Sequence, residues 1–344
     1  MRRPKYRAAR HYRGHDDVTV CIAALFNWNY AQAPAPTDFG PAALVMGDRM
    51  ITAGAGDIEY EPNLQKMWFA TDHVIVMIAG DYTVHSQALR STQAQVKGNS
   101  TIKPYEMATT YGAAIQSVIR KQAEDVILAP LGLNTDTFLA QQREMSDHIA
   151  GALTTQMQEF EGPDVAALVV GIDDAGGHIY EVDRRGTVRC FDDVGFAAIG
   201  IGASHAVSVM AQARYNNALT LAPVLCIAFA AKRAAQTAPG VGVYTDIHLI
   251  TKNGRFPIWP EVEKRLTDVY DEFAAKRAAL ALESIQKLNE SLNAPKQTPD
   301  HTALPQGESG VTAGERNSPE TGHSAPKSTE DPSSPPEQVQ GAKS

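Results

Sequence analysis

With 344 residues, 43% of them hydrophobic and 20% charged, the chain has ample apolar mass for a substantial core. Its formal charge of −8 argues against general nucleic-acid binding, which needs basic surface to neutralise phosphates, and its most apolar helical segment, 220–236, is interrupted by Lys232 and Arg233 before it could span a bilayer. Three cysteines, Cys21, Cys190 and Cys226, lie far apart in or beside apolar runs, which reads as buried free thiols in a reducing compartment; with no secretory signal, the expected location is the cytoplasm.

The chain opens with a basic extension, 1–18, whose first thirteen residues carry five Arg and one Lys. A first strand is expected over Val18–Phe26 and a second at Ala43–Asp48, joined by a Pro- and Ala-bearing loop. Two apolar runs, Leu64–Ala70 and His73–Gly80, flank a polar Thr-Asp pair and read as a hairpin. Helical periodicity follows over 82–96, then over 102–127 with Thr101 as N-cap and Pro104 in the first turn, then as a continued helical layer over 136–160. Strands return at 164–173, 177–183, 187–193 and 196–202, helices begin near Ala203 and Thr220, and a late strand spans 241–251. Residues 260–292 form a long amphipathic helix with an apolar stripe of Val262, Leu266, Val269, Phe273 and Leu280, which must pack on something. From 293 to 344 the chain is rich in Pro, Ser, Gly and charge and cannot bury enough surface to offset its ordering entropy, so a disordered tail is expected. The block order predicts an α+β fold: two sheets face to face with helices outside both, a four-layer αββα sandwich.

Four pieces carry a more specific signal. Strand 19–25 starts with a threonine (TVCIAAL). Segment 47–54 reads GDRMITAG, an Asp followed at fixed steps by Thr and Gly. Segment 66–81, KMWFATDHVIVMIAGD, places a lysine before a hairpin ending in Ala-Gly. The run from 169 to 206 (VVGIDDAGGHIYEVDRRGTV to FAAIGIGASHA) is closed by GVYTDIHLI at 242–250. In this order and spacing they resemble proteasome β subunits and related bacterial threonine peptidases, in particular the small bacterial proteasome-like proteins. The resemblance covers about 19–250 and implies the N-terminal-nucleophile hydrolase fold, with 19–259 as the hydrolase domain.

It also implies roles. A threonine hydroxyl is a weak nucleophile unless a base takes its proton; in this class the base is the residue's own α-amino group, with an intrinsic pKa of about 8. Thr19 matches the nucleophile, Lys66 the lysine that tunes the amine, Asp48 the aspartate that fixes the lysine, and the N–H of Gly80 the oxyanion donor. Thr52 and Gly54 match cleft positions that pair with substrate backbone. Each residue also has a plainer reading. Thr19 can simply open a strand, Asp48 can cap a turn, Lys66 can be a solvated strand-edge lysine, and Gly80 can serve a turn needing positive φ. No metal or organic cofactor is implied: of the histidines only His11 and His15 share a one-turn spacing, without a third ligand, and the Gly-rich stretches lack a phosphate-loop ending.

Three departures stand out. The family places Ser between two glycines where this chain has Ile201, and an Asp and a Ser where Gln236 and Pro239 lie. Val18, β-branched and stiff, replaces the Gly that usually precedes the nucleophile. Two routes could free Thr19: autolysis at Val18–Thr19, or initiation at Val18, read as Met and then removed before the small Thr19. The leading reading is a threonine-type hydrolase of peptide or related amide bonds, acting as a homo-oligomer without nucleic-acid or membrane partners. The alternatives are a non-catalytic assembly or binding subunit, and an amidase acting on small molecules. Intact-mass measurement of protein from its native host is expected to give a chain beginning at Thr19; a mass that includes 1–18 rules out both routes.

Overall fold

In the computed structural model the described residues are 19–29, 39–53, 58–60 and 66–293. The extension 1–18, Gly54 and the expected tail beyond Asn293 lie outside them. The chain divides into two compact units, 1–286 and 287–344; the second contributes only the last turns of the final helix to the described residues.

Two five-stranded antiparallel sheets form the centre of the first unit. The first comprises β1 (Cys21–Asn29), β2 (Phe39–Asp48), β10 (Phe196–Ile199), β11 (Thr245–Thr251) and β12 (Gly254–Pro257), in the order β10-β1-β2-β11-β12. The second comprises β5 (Met67–Phe69), β6 (Val74–Gly80), β7 (Val165–Asp173), β8 (Gly176–Val182) and β9 (Val188–Cys190), in that order. A small ribbon pairs β3 (Ile51–Ala53) with β4 (Ile58–Tyr60).

The central strands are apolar at nearly every position because both of their faces are buried. On β1, Cys21, Ala23 and Leu25 face the other sheet, together with Ala43 and Val45 of β2, Ile75 and Met77 of β6, and Leu168 and Val170 of β7. The alternate residues Ile22, Ala24 and Phe26 pack outward on α5 (Ala203–Gln212) and α6 (Leu221–Ala235). Val74, Val76 and Ile78 of β6 pack outward on α1 (Tyr82–Val96) and α2 (Pro104–Ala123). Helices, sheet, sheet, helices: this is the four-layer αββα sandwich of the N-terminal-nucleophile hydrolase fold.

Several local expectations change. The cap of α2 is Lys103, whose N–H donates to the Glu106 carboxylate at 3.4 Å, so Thr101 lies before the helix. After Ala123 the chain runs through a π turn and a 3₁₀ turn to Gly132, where φ is +73°; Pro130 has no N–H to continue a helical ladder. The expected helix over 136–160 is two, α3 (Thr135–Gln141) and α4 (Asp147–Glu159), because Asn134 and Ser146 each take extended N-cap geometry. The ribbon β3–β4 and strand β12 fall where no strand is expected from sequence. Only Cys21 is buried; Cys190 and Cys226 are free but exposed, on the edge strand β9 and on the outward side of α6. Apolar neighbours in sequence do not bury a residue on a sheet edge or an outer helix face.

The final helix, α7 (Pro260–Asn293), packs its first turns on the α6 side: Leu266 is buried, Val262 is partly buried, and the Tyr270 ring meets Phe229 edge-on with ring centroids 6.3 Å apart. Val269, Phe273 and Leu280 of the expected stripe are exposed. No helix among the described residues is long and apolar enough to cross a membrane.

On the second sheet, His178 is held between two carboxylates, with Nδ1 2.6 Å from Asp192 and Nε2 3.0 Å from Asp173. Partial burial disfavours the charged ring, but the hydrogen bonds and charges of Asp192 and Asp173 outweigh it and raise the pKa above 6.5. A raised folded-state pKa stabilises the fold most fully below the unfolded value of about 6.5 and loses that contribution as pH rises through the folded value. Chemical denaturation of wild type and His178→Gln is therefore expected to differ most at mildly acidic pH, with the gap narrowing as pH rises above neutrality; a gap that widens with pH contradicts this.

Candidate active site

Thr19 directly precedes β1 and is 1% exposed. Strand alternation puts its side chain on the Cys21 face, between the sheets. Its main chain is gripped by the segment Gly200-Ile201-Gly202. Gly202 N–H donates to the Thr19 carbonyl at 3.2 Å. Gly200 has φ +90°, and a Cβ there would lie 2.4 Å from the Thr19 carbonyl oxygen and 2.5 Å from its Cγ2. Both the dihedral and the space require glycine. Ile201 packs on the outer apolar cluster and has no polar side-chain atom to offer the threonine.

Asp48 ends β2 with a fully buried side chain. Its Oδ1 accepts from Thr19 Oγ1 at 2.5 Å and from Val20 N–H at 3.0 Å. Its Oδ2 accepts from the N–H groups of Met50 and Gly242, both at 3.0 Å. Lys66 Nζ lies 3.1 Å from Oδ1 and 3.3 Å from Oδ2, and also donates to Thr19 Oγ1. Every group around the carboxylate is a donor, so its lone pairs are fully engaged. The turn-capping role open to Asp48 is met through Met50, alongside the contacts to Thr19 and Lys66. Lys66 is not a solvated edge residue, since its side chain is only 11% exposed.

Gly80 ends β6 with φ +99°, a conformation glycine adopts without strain. On the same strand Ile78 N–H donates to the Lys66 carbonyl at 3.0 Å, while Asp81 N–H donates the opposite way, to Asp164. Alternation directs the Gly80 N–H to the edge that carries Lys66. Thr52 lies on β3, just beyond Asp48, paired with Glu59. The structure thus brings Thr19, Asp48 and Lys66 into mutual contact, with Gly80 on the neighbouring strand edge. Cys21, next in line on the inter-sheet face, is no rival nucleophile: burial pushes its thiol up to about 12, against the lowering charge of Lys66.

Sequence reading alone missed the support behind Asp48. Lys232 of α6 is 1% exposed, and its Nζ donates to the carbonyls of Gly242 at 2.8 Å and Val243 at 2.6 Å. Gln236 Nε2 reaches the same two oxygens, each at 3.3 Å. The loop they hold is the one that offers Gly242 N–H to Asp48. Burial raises the Glu263 pKa, opposed by the charges of Lys232 and Arg49, which places the first turn of α7 in the same electrostatic neighbourhood. Arg49 in turn pairs with Asp246 of β11. The available signal was Lys232 itself, a charge inside an apolar helical run. Among the described residues no group of three His, Cys, Asp or Glu side chains is placed to hold a metal ion.

Chemically the cluster presents a hydroxyl already hydrogen-bonded to a carboxylate and an ammonium, out of bulk water. An ammonium in that position favours the deprotonated hydroxyl and lowers the pKa of any amine beside it. Removing one member of a buried pair strands the other charge, which costs about 3–5 kcal/mol. Asp48→Asn is accordingly expected to lower unfolding free energy by about that amount, and adding Lys66→Met to recover a large part of it. Denaturant titration of the two single variants and the double variant measures the coupling; simple additivity contradicts the buried-pair account.

No protein-family model matches the chain, and no curated protein matches it. The four-layer sandwich, consistent with the broad N-terminal-nucleophile hydrolase superfamily and compatible with a hydrolase of that type, is what the fold itself establishes.

Proposed function

We propose that the chain is a threonine-type hydrolase of the proteasome-like class, acting on peptide or related amide bonds. The observation that carries this reading is the three-way contact of Thr19 Oγ1, the Asp48 carboxylate and the Lys66 ammonium at the mouth of β1. In this mechanism the Thr19 α-amine, freed by loss of 1–18, takes the hydroxyl proton as Oγ1 attacks the amide carbonyl. Lys66 keeps that amine uncharged at working pH, and Asp48 holds Lys66 in place. The negative charge that develops on the carbonyl oxygen is met by the Gly80 N–H. The proton passes to the leaving amine, and water then releases the acyl group from Oγ1. The ribbon strand β3, with Thr52, would pair with an extended substrate; Gly54, the other residue the resemblance assigns to substrate backbone, lies outside the described residues. The active form is a homo-oligomer.

A second reading, a non-catalytic assembly or binding unit, is favoured by Ile201 and Gln236. The first offers no polar group to the threonine, and the second is engaged with the Gly242 and Val243 carbonyls.

A peptide epoxyketone separates the two readings, because its adduct requires both the threonine hydroxyl and a free amine on the same residue. A chain beginning at Thr19 is expected to gain the mass of one inhibitor, whereas Thr19→Ala and the chain that retains 1–18 gain none. Lys66→Ala should slow labelling by about 100-fold or more. Absence of an adduct on the chain beginning at Thr19 supports the non-catalytic reading.

A further inference from the structure

His85 is a buried titratable group outside the Thr19 cluster, 1% exposed, and it lies one helical turn into α1. Its Nε2 is 2.7 Å from the carbonyl oxygen of Ala79, and its Nδ1 is 2.7 Å from the hydroxyl of Tyr111 on α2, itself fully buried. The two rings are near parallel, 2° apart. These contacts fix the ring's protons. A carbonyl oxygen only accepts, so Nε2 carries hydrogen and donates to Ala79. Burial holds the imidazole pKa down to about 4, so at neutral pH the ring has a single proton and Nδ1 is an acceptor. Tyr111, whose phenol burial pushes well above its ordinary value, keeps its hydrogen and donates to Nδ1. The chain therefore runs one way, from Tyr111 O–H to His85 and from His85 N–H to the Ala79 oxygen.

A buried, satisfied histidine is ordinarily a packing residue. Here the carbonyl it holds belongs to the Ala79–Gly80 peptide, whose other polar group is the Gly80 N–H. A peptide unit is planar and trans, so fixing the C=O direction fixes the N–H direction on the opposite side. Gly80 needs that help. At φ +99° it sits where glycine is conformationally free, at a strand end turning into a helix. On the far side Asp81 caps α1 by accepting from Thr83 and Val84 N–H, at 2.7 and 3.2 Å, so the turn is tied down on both flanks of Gly80. A hydrogen bond accepted at the carbonyl also polarises the peptide and strengthens its N–H as a donor.

We infer that His85, backed by Tyr111, is a positioning residue that aims and polarises the Gly80 amide as the donor to the oxyanion of the proposed reaction. It touches no reacting atom and acts through the shared peptide. His85 has this role only if Gly80 is the oxyanion donor proposed above, so the test is built to tell the two failures apart.

Two measurements are made. Amide hydrogen exchange at Gly80 is followed in the full chain, where no catalysis is needed. Hydrolysis of a fluorogenic peptide amide is followed in the chain beginning at Thr19. His85→Leu removes the donor to Ala79, and His85→Gln keeps a side-chain N–H at the Nε2 position. In His85→Leu, Gly80 exchange is expected to quicken and kcat to fall about 10- to 100-fold with KM little changed, less than the 10²–10³ that accompanies outright loss of an oxyanion donor. His85→Gln is expected to restore most of both. Tyr111→Phe, which deletes only a hydroxyl, should give smaller shifts of the same sign, and it stands in if His85→Leu does not fold. Unchanged Gly80 exchange in these variants overturns the positioning role whether or not the protein is active. Quickened exchange with unchanged kcat also overturns it. If the chain beginning at Thr19 neither hydrolyses nor labels, the proposed function has failed, and with it the catalytic half of the His85 assignment.

Discussion

The organisation of the site depends on one buried carboxylate. Asp48 sits at the end of a central strand, where the two sheets and the inner ends of their connections meet, and it is surrounded by donors from four separate stretches of chain: Thr19 and Val20, Met50, Lys66, and Gly242. An anion in such a place is tolerable only if its lone pairs are met. The elements that meet them are thereby drawn to one point. The same contacts that make the charge bearable bring a hydroxyl and an ammonium together. The loop at Gly242 is then stiffened in turn by Lys232 and Gln236, so the support extends outward into α6.

Much of this architecture is legible in the sequence. β1, β2, β6 and β7 read as strands because unbroken apolar runs of that length, bounded by Gly and Asp, suit strands covered on both faces. α1 starts and ends where its pattern says, since Asp81 before Tyr82 is a strong cap. The pattern fails where local signals are weak or ambiguous. Residues 136–160 keep helical periodicity across a break marked by the extended N-cap backbone of Ser146. The β3–β4 ribbon is three residues a side and carries too few alternations to register.

The site divides in the same way. Thr19, Asp48 and Lys66 could be picked out through a family pattern, and the fold puts them in contact. Gly200 and Gly202 were visible as glycines, but their reason, the closeness of the Thr19 main chain, exists only in three dimensions. Lys232 and His85 could not be assigned from sequence at all. A lysine in an apolar helix and a histidine on an apolar face each have a bland explanation, and what sets them apart is the particular carbonyl each one holds: Gly242 and Val243 for the first, Ala79 for the second.

The grip on Thr19 has a consequence of its own. Gly200 and Gly202 hold the carbonyl side of residue 19, and Asp48 and Lys66 hold its hydroxyl. None of these contacts uses the bond to Val18. Where the hydroxyl stands is thus settled by the fold, while what the nitrogen is, amide or amine, is a separate chemical variable. If the proposed function holds, loss of 1–18 would change one functional group inside a finished frame, with no need to build or rearrange the frame.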